Sequence, residues 1–161
     1  MHYFVSLHTK QTQTMKKFLT IAIILTTTAC SMVQRDDSEA TAVATEWGEA
    51  FFNCDYHAAE ALSTAESRRW LQFAASNTTQ QDLDLLRQHP AEVDATDFFP
   101  EADDTLRVVQ LVVRHSLSPA INGGQSVQVE EALFPVTVVK RNGSWLVRMA
   151  SLPRSEKQSH D

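Results

Sequence analysis

Carboxylates, a tyrosine, two histidines and a cysteine are the side chains whose types invite a chemical reading. Tyr56, Asp94, Glu130 and Glu131 are the acid–base candidates. A carboxyl group on the core side of a strand has a raised pKa and can serve as a base or a proton donor. Asp94 alternates with Val93 and Ala95, which places it outside. Glu131 shares the odd parity of Val127 and Val129, which would turn it inward, although most acids in strands face water. His57 and Glu60 stand one helical turn apart, but two ligands are too few for a metal centre, and no metal site is expected. His115 ends a strand beside Arg114 and reads as exposed. Cys54, between Phe51-Phe52 and Asp55-Tyr56, reads as a small buried apolar residue, because only His57 is near enough in sequence to lower its pKa. There is no Gly-x-Ser-x-Gly elbow, and Gly123-Gly124 lacks the Lys and helix of a phosphate loop. No set of residues completes a catalytic constellation, so no catalytic residue and no cofactor is assigned. The aromatic side chains Trp47, Phe51, Tyr56, Trp70 and Trp145 are expected to line a ligand pocket, with a place in the core as the alternative for the three tryptophans.

The elements that must hold these residues come in two halves. Four helices are expected over 42–52, 56–62, 65–75 and 80–88, the last stopped by Pro90. Val43, Trp47, Ala50, Phe51 and Cys54 make the apolar stripe of the first. Strands follow over 91–98, with Val93, Ala95 and Phe98 inward, over 106–116, and over 126–140. In the second strand Leu106, Val108 and Val112 point one way and Val109, Leu111 and Val113 the other. Both sets are apolar, which suggests either a covered central strand or an outer face formed by Val109, Leu111 and Val113 that pairs with a second copy of the chain. In the third strand apolar parity changes from odd at Val127 and Val129 to even at Phe134, Val136 and Val138, beside Pro135. A β-bulge there would produce that change and bend the sheet.

Asn142-Gly143 closes the last hairpin, because both residues tolerate the positive φ of a type I′ turn. It pairs Arg141 with Ser144, Lys140 with Trp145, Val138 with Val147 and Val136 with Met149. Val136, Val138, Trp145, Val147 and Met149 then share an apolar face, which must be the core face. Helices first and strands after give an α+β fold, with N-terminal helices packed on a curved antiparallel sheet of about four strands.

Met15-Lys16-Lys17, the apolar run from Phe18 to Leu25 and Thr28-Ala29-Cys30 form a secretory signal with its true start at Met15. The run is too short to span a bilayer, which takes roughly 20 apolar residues. Its ending resembles a bacterial lipoprotein signal, with Thr27 where that family usually has Leu. The resemblance implies that Cys30 is lipidated and becomes the mature N-terminus, and Ser31 after it resembles lipoproteins sorted to the outer membrane. The expected organisation is a signal region over 1–30, a tether over 31–40, a domain over 41–152 and a disordered tail over 153–161.

The domain resembles the nuclear-transport-factor-2-like superfamily, the cystatin-like cone fold, and in particular its small bacterial lipoproteins of unknown function. The resemblance rests on Trp47 with Phe51-Phe52, on Asp55-Tyr56-His57-Ala58-Ala59, and on Asn142-Gly143-Ser144-Trp145-Leu146-Val147. It implies a cone with an internal pocket. It implies no reaction, since the superfamily hosts isomerases, hydrolases, transport adaptors and many non-enzymes. The formal net charge of −6 speaks against nucleic acid as the main partner. Two functions are therefore weighed. One is a lipid-anchored, non-catalytic domain that binds a small apolar ligand or another envelope protein. The other is a small isomerase- or hydrolase-type enzyme using an acid inside the cone. Acidic or tyrosine side chains converging in an apolar cavity would favour the second.

Overall fold

A helix covers residues 35–52 of the computed structural model, which describes residues 35–100, 103–118 and 125–156. The chain divides into the units Met1–Ser38 and Glu39–Asp161. Of the first unit only residues 35–38 are described, all helical. The signal region with Met15 and Cys30 lies outside the described residues, as do 119–124 and 157–161. Among the described residues no helix is long and apolar enough to cross a membrane.

The opening helix (α1, 35–52), of which residues 39–52 belong to the second unit, buries Ala40, Ala44, Trp47 and Gly48, at the spacing of one helical face. It therefore begins before residue 42, and residues 35–40, expected as tether, are helical. Gly48 is where α1 lies closest to the sheet. A Cβ there would stand 2.8 Å from Leu111 Cδ1 and 3.0 Å from Val93 Cγ1, so no larger residue fits without displacing a buried strand side chain. Three more helices follow: α2 (Tyr56–Ala61), α3 (Arg68–Asn77, entered through a 3₁₀ turn at Ala65–Ser67) and α4 (Gln80–Gln88).

The sheet has four antiparallel strands in the order β1 (Glu92–Pro100), β2 (Leu106–Ser118), β3 (Val127–Arg141) and β4 (Ser144–Val147). The hairpin register is as expected: Val138 faces Val147, Lys140 faces Trp145 and Arg141 faces Ser144. Its turn uses φ of 52° at Asn142 and 85° at Gly143. Val136, Val138, Trp145, Val147 and Met149 are all buried. The ladder ends at Val147, so Met149 reaches the core without a strand partner. The free edge of β4 is covered by the turn after α2, where Thr64 N–H donates to the Val147 carbonyl at 2.9 Å and Val147 N–H to the Leu62 carbonyl at 2.8 Å. This bridge occupies the Val147 end of the edge.

Three expectations are corrected. Val109, Leu111 and Val113 are fully buried and belong to the core, so they form no outer face for a second copy. The outward side carries Val108, Val112, Leu133 and Phe99 instead, with Phe99 52% and Leu133 37% exposed. Hydropathy alone could not choose between two apolar faces of one strand; the docking of α1 chooses.

The bulge expected beside Pro135 is absent, since β3 keeps one register against β2 from Val127 to Val139. Thr96 of β1 interrupts a register instead, between Ala95 and Asp97, and so Val93, Ala95 and Phe98 all pack inward despite their change of parity. Val127 is exposed, but Val129 packs against the core, so the change of parity in β3 falls between Val129 and Ala132, at Glu130, which has no partner opposite His115 with its φ of 57°.

The tail expected from residue 153 is partly packed: Ser155 is buried, and Leu152 and Pro153 wall a cavity. In layers and strand order the second unit is an α+β fold with its helices on one face of a curved four-stranded antiparallel sheet, the architecture that the superfamily resemblance implies.

Candidate functional site

The site is built where α1 ends. Phe51 and Phe52 close the helix, and the chain leaves through Asn53 and Cys54. Asp55 N–H donates to the Ala50 carbonyl at 2.9 Å and Cys54 N–H to the Phe51 carbonyl at 3.1 Å. This is a Schellman ending, in which the penultimate position takes a left-handed conformation and is usually glycine. Here that position is Cys54, with φ of 63°. Asp55 then caps α2 by accepting from the Ala58 N–H at 3.0 Å, which sets Tyr56 at the start of that helix.

Aromatic contacts run from the core to this corner. Trp47 stacks on Phe51 at 4.8 Å, Phe51 meets Tyr56 edge-on at 5.7 Å, and Phe52 lies 4.6 Å from Phe134 of β3. Such pairs contribute about 0.5–1.5 kcal/mol each beyond their buried area. They leave a cavity of about 260 Å³ whose apolar wall includes Phe51, Phe52, Leu117, Phe134 and Leu152. Its polar side is formed by Cys54, Tyr56, Thr78, Asp82 and Ser126.

The polar groups are held in definite states. The Tyr56 hydroxyl lies 2.8 Å from Thr78 Oγ1 and 3.4 Å from Cys54 Sγ. The Thr78 hydroxyl donates to the Ala74 carbonyl at 3.0 Å, which leaves its lone pairs for the Tyr56 hydrogen. Burial, the neighbouring Cys54 thiol and the charge of Asp82 push the Tyr56 hydroxyl well above its ordinary pKa, against the opposing effect of the hydrogen bond it shares with Thr78.

Asp82 sits three residues into α4 and completes a capping box with Thr79. Its Oδ2 accepts from the Thr79 N–H and the Thr79 hydroxyl, each at 2.8 Å. Burial would raise its pKa, but the Ser126 hydroxyl and these Thr79 bonds outweigh it and hold the carboxyl below the usual range. Its other oxygen, Oδ1, is buried and takes no bond of hydrogen-bond geometry, although the residue is only 6% exposed. A buried acceptor left in that state costs on the order of 1–3 kcal/mol.

The residues singled out by the sequence are distributed as follows. Phe51 and Tyr56 line the cavity. Trp47 stacks behind Phe51 in the core and donates from Nε1 to Ser63 Oγ at 3.0 Å. Trp70 and Trp145 pack elsewhere, Trp145 beneath the guanidinium of the buried Arg107 and Trp70 under Arg69. Asp94 and Glu131 are exposed on the outer side of the sheet, where both pair with Arg114, and Glu130 is exposed as well. His57 is exposed, and Glu60 pairs with Arg68, so the two form no metal pair. Among the described residues no group of three or more His, Cys, Asp or Glu is placed to hold a metal.

Sequence reasoning missed Asp82, Thr78 and Ser126. Thr79-x-x-Asp82 carries a capping-box signature, and that signal explains the residue as a helix cap without pointing to the cavity. Cys54, read as a buried apolar residue, is half-buried and lines the wall.

No protein-family model and no curated protein matches this chain. Among solved structures it is similar to an NTF2-like protein involved in plasmid conjugation, with 13% identity and a TM-score of 0.36; the match covers 74% of this chain and 48% of that one. The chain thus spans about half the length of that protein. It is also similar to a protein from Xanthomonas campestris pv. campestris assigned as a polyketide cyclase, with 16% identity and a TM-score of 0.34, over 71% of this chain and 92% of that one.

Proposed function

We propose that this chain is an envelope lipoprotein, held at the outer membrane through acylated Cys30, whose domain binds a small, largely apolar ligand without transforming it. The observation that carries the reading is the cavity beside Phe51 and Phe134: about 260 Å³, with one apolar wall and one polar side. Ligand sites have this composition, with a few placed polar groups in apolar surroundings. Scaled from an apolar cavity of about 150 Å³ that takes benzene, the space suits a ligand of about ten non-hydrogen atoms.

Tyr56 and Asp82 converge there, which taken alone would favour an isomerase- or hydrolase-type enzyme. Their protonation argues the other way. A general acid or base works best with its pKa near the operating pH. Here the tyrosine is pushed upward and the aspartate downward, so near neutrality one stays protonated and the other ionised. That pair suits recognition better than proton transfer.

The test is an amide chemical-shift titration of the domain with 2-phenylethanol, a neutral probe of about the right size. Binding is expected, with shifts centred on Phe51, Leu117 and Phe134. Phe134→Trp should fill the space and abolish it. Shifts scattered over the surface, or none at millimolar probe, would remove the binding reading.

A further inference from the structure

The third strand is far longer than the one beside it. It has 15 residues against 4 in β4, and the ladder between them takes in only Val138–Arg141. One further bond runs from the Arg148 N–H to the Thr137 carbonyl at 2.9 Å. Backbone groups alternate in direction along an antiparallel strand, and β3 keeps one register from Glu131 to Thr137. Glu131, Leu133 and Pro135 therefore aim their backbone groups as Thr137 does, away from β2. Continued by three residues, the hairpin register would set Ala150 opposite Pro135. Proline has no N–H to give, and there the chain leaves β3. Glu131, Leu133 and Pro135 are all exposed, and among the described residues no backbone hydrogen bond reaches this side of them. Before Thr137, then, β3 is an open edge, the kind of place where another strand adds.

The gap where the two chains part is a concavity of about 270 Å³ between Pro135–Thr137 and residues 147–154. Arg148 and Arg154 line it, and no aspartate or glutamate does. Elsewhere Arg68, Arg87, Arg114 and Arg141 each face a carboxylate. In a chain of formal net charge −6, two arginines on a wall without acids make a local positive field, and the guanidinium fork fits a carboxylate.

We propose that the β3 edge docks an extended segment of a partner protein, which adds as a strand beside Glu131 and Leu133 and brings an acidic end to Arg148 and Arg154. Main-chain hydrogen bonds hold such a segment, and the arginines decide which of its ends lies at Pro135. A second copy of this chain fits less well. Its own β3, paired about Leu133, would run into Arg148 and β4. Paired about Glu131, it would set two like charges face to face. A short segment that stops at Arg148 meets neither obstacle.

This surface is separate from the cavity beside Phe134, so the inference stands or falls apart from the binding reading above. The test titrates the full-length protein, at low salt and pH 7, into fluorescein-labelled Thr-Val-Thr-Val-Asp-Asp, followed by anisotropy. The same peptide ending in Lys-Lys amide is the charge control. Two further versions are N-methylated at alternate residues, one in each phase, which removes the backbone donors of one side. The acidic peptide is expected to bind about fivefold tighter than the basic one, the scale of one exposed charge pair. One N-methylated phase should lose binding and the other keep it. In the double variant Arg148→Glu with Arg154→Glu, both positions being exposed, the preference should reverse in favour of the basic peptide, which also shows that the edge has stayed intact. Equal binding of both N-methylated peptides would overturn strand addition. Equal binding of acidic and basic peptides to the wild type would overturn the role of the arginines. No binding at millimolar peptide would overturn the whole proposal and leave the cavity reading untouched.

Discussion

Cys54 holds a left-handed backbone angle at a helix end where most chains place glycine. For a residue with a Cβ that conformation costs on the order of 1 kcal/mol. The side chain carried by that strain lines the cavity, 3.4 Å from the Tyr56 hydroxyl. Cys54→Gly should therefore raise stability by about 1 kcal/mol, visible as a higher unfolding midpoint, while loosening the cavity wall; a lower midpoint would mean that the thiol's packing outweighs the strain. Asp82 makes a prediction of opposite kind. Its folded pKa lies below the unfolded value of about 4. Its contribution to stability is thus present above that value and is lost as pH falls through the folded pKa. Asp82→Asn, followed by thermal unfolding from pH 6 downward, should show a shallower acid decline than wild type. Equal declines would place the acid sensitivity elsewhere. At this scale the sequence was informative about identity and weak about address. Tyr56 was readable as a pocket residue from its aromatic neighbours, but Trp70 and Trp145 have the same composition signal and pack away from the cavity.

At the scale of elements, two joints hold the site. Asn53 acts as a substitute strand: its Nδ2 donates to the Ala91 carbonyl and its Oδ1 accepts from the Ala91 N–H, both at 2.9 Å. This fastens the end of α1 to the start of the sheet, 38 residues later in sequence. Asn53→Ala would leave buried backbone groups of Ala91 unpaired and should cost about 1–3 kcal/mol, measured by denaturant unfolding. A cost within a few tenths would show that water replaces the side chain. The second joint is Ser67, fully buried between α3 and β4, which accepts from the Met149 N–H at 2.9 Å. It lies close to the Val147 carbonyl that closes the sheet edge. The helices and the closing hairpin were legible because their signals are local: caps, a Pro stop, and Asn142-Gly143 at a turn that demands positive φ. The joints were not, since a hydrogen bond between residues far apart in sequence leaves no periodic trace.

For the whole molecule, the proposed anchor and the domain make separable claims. Replacing Cys30 with serine should move the full-length protein from the detergent phase to the aqueous phase on phase partitioning, with an unchanged domain spectrum; retention in detergent would show that something other than acylation holds it. What the sequence determined by itself was the class of fold, its helix-then-strand order, and the hairpin register. Those follow from alternation and turn chemistry, which act over a few residues. Tertiary structure decided which side of β2 is the core, because both sides are apolar and only the close approach of Gly48 to Leu111 and Val93 distinguishes them. It decided that the shift of register falls at Thr96 of β1, and the change of parity in β3 at Glu130, rather than beside Pro135. It also decided that a helix cap, Asp82, shares a cavity with Tyr56 and Phe134. A cavity is enclosed by elements distant in sequence, and its lining exists only once they pack.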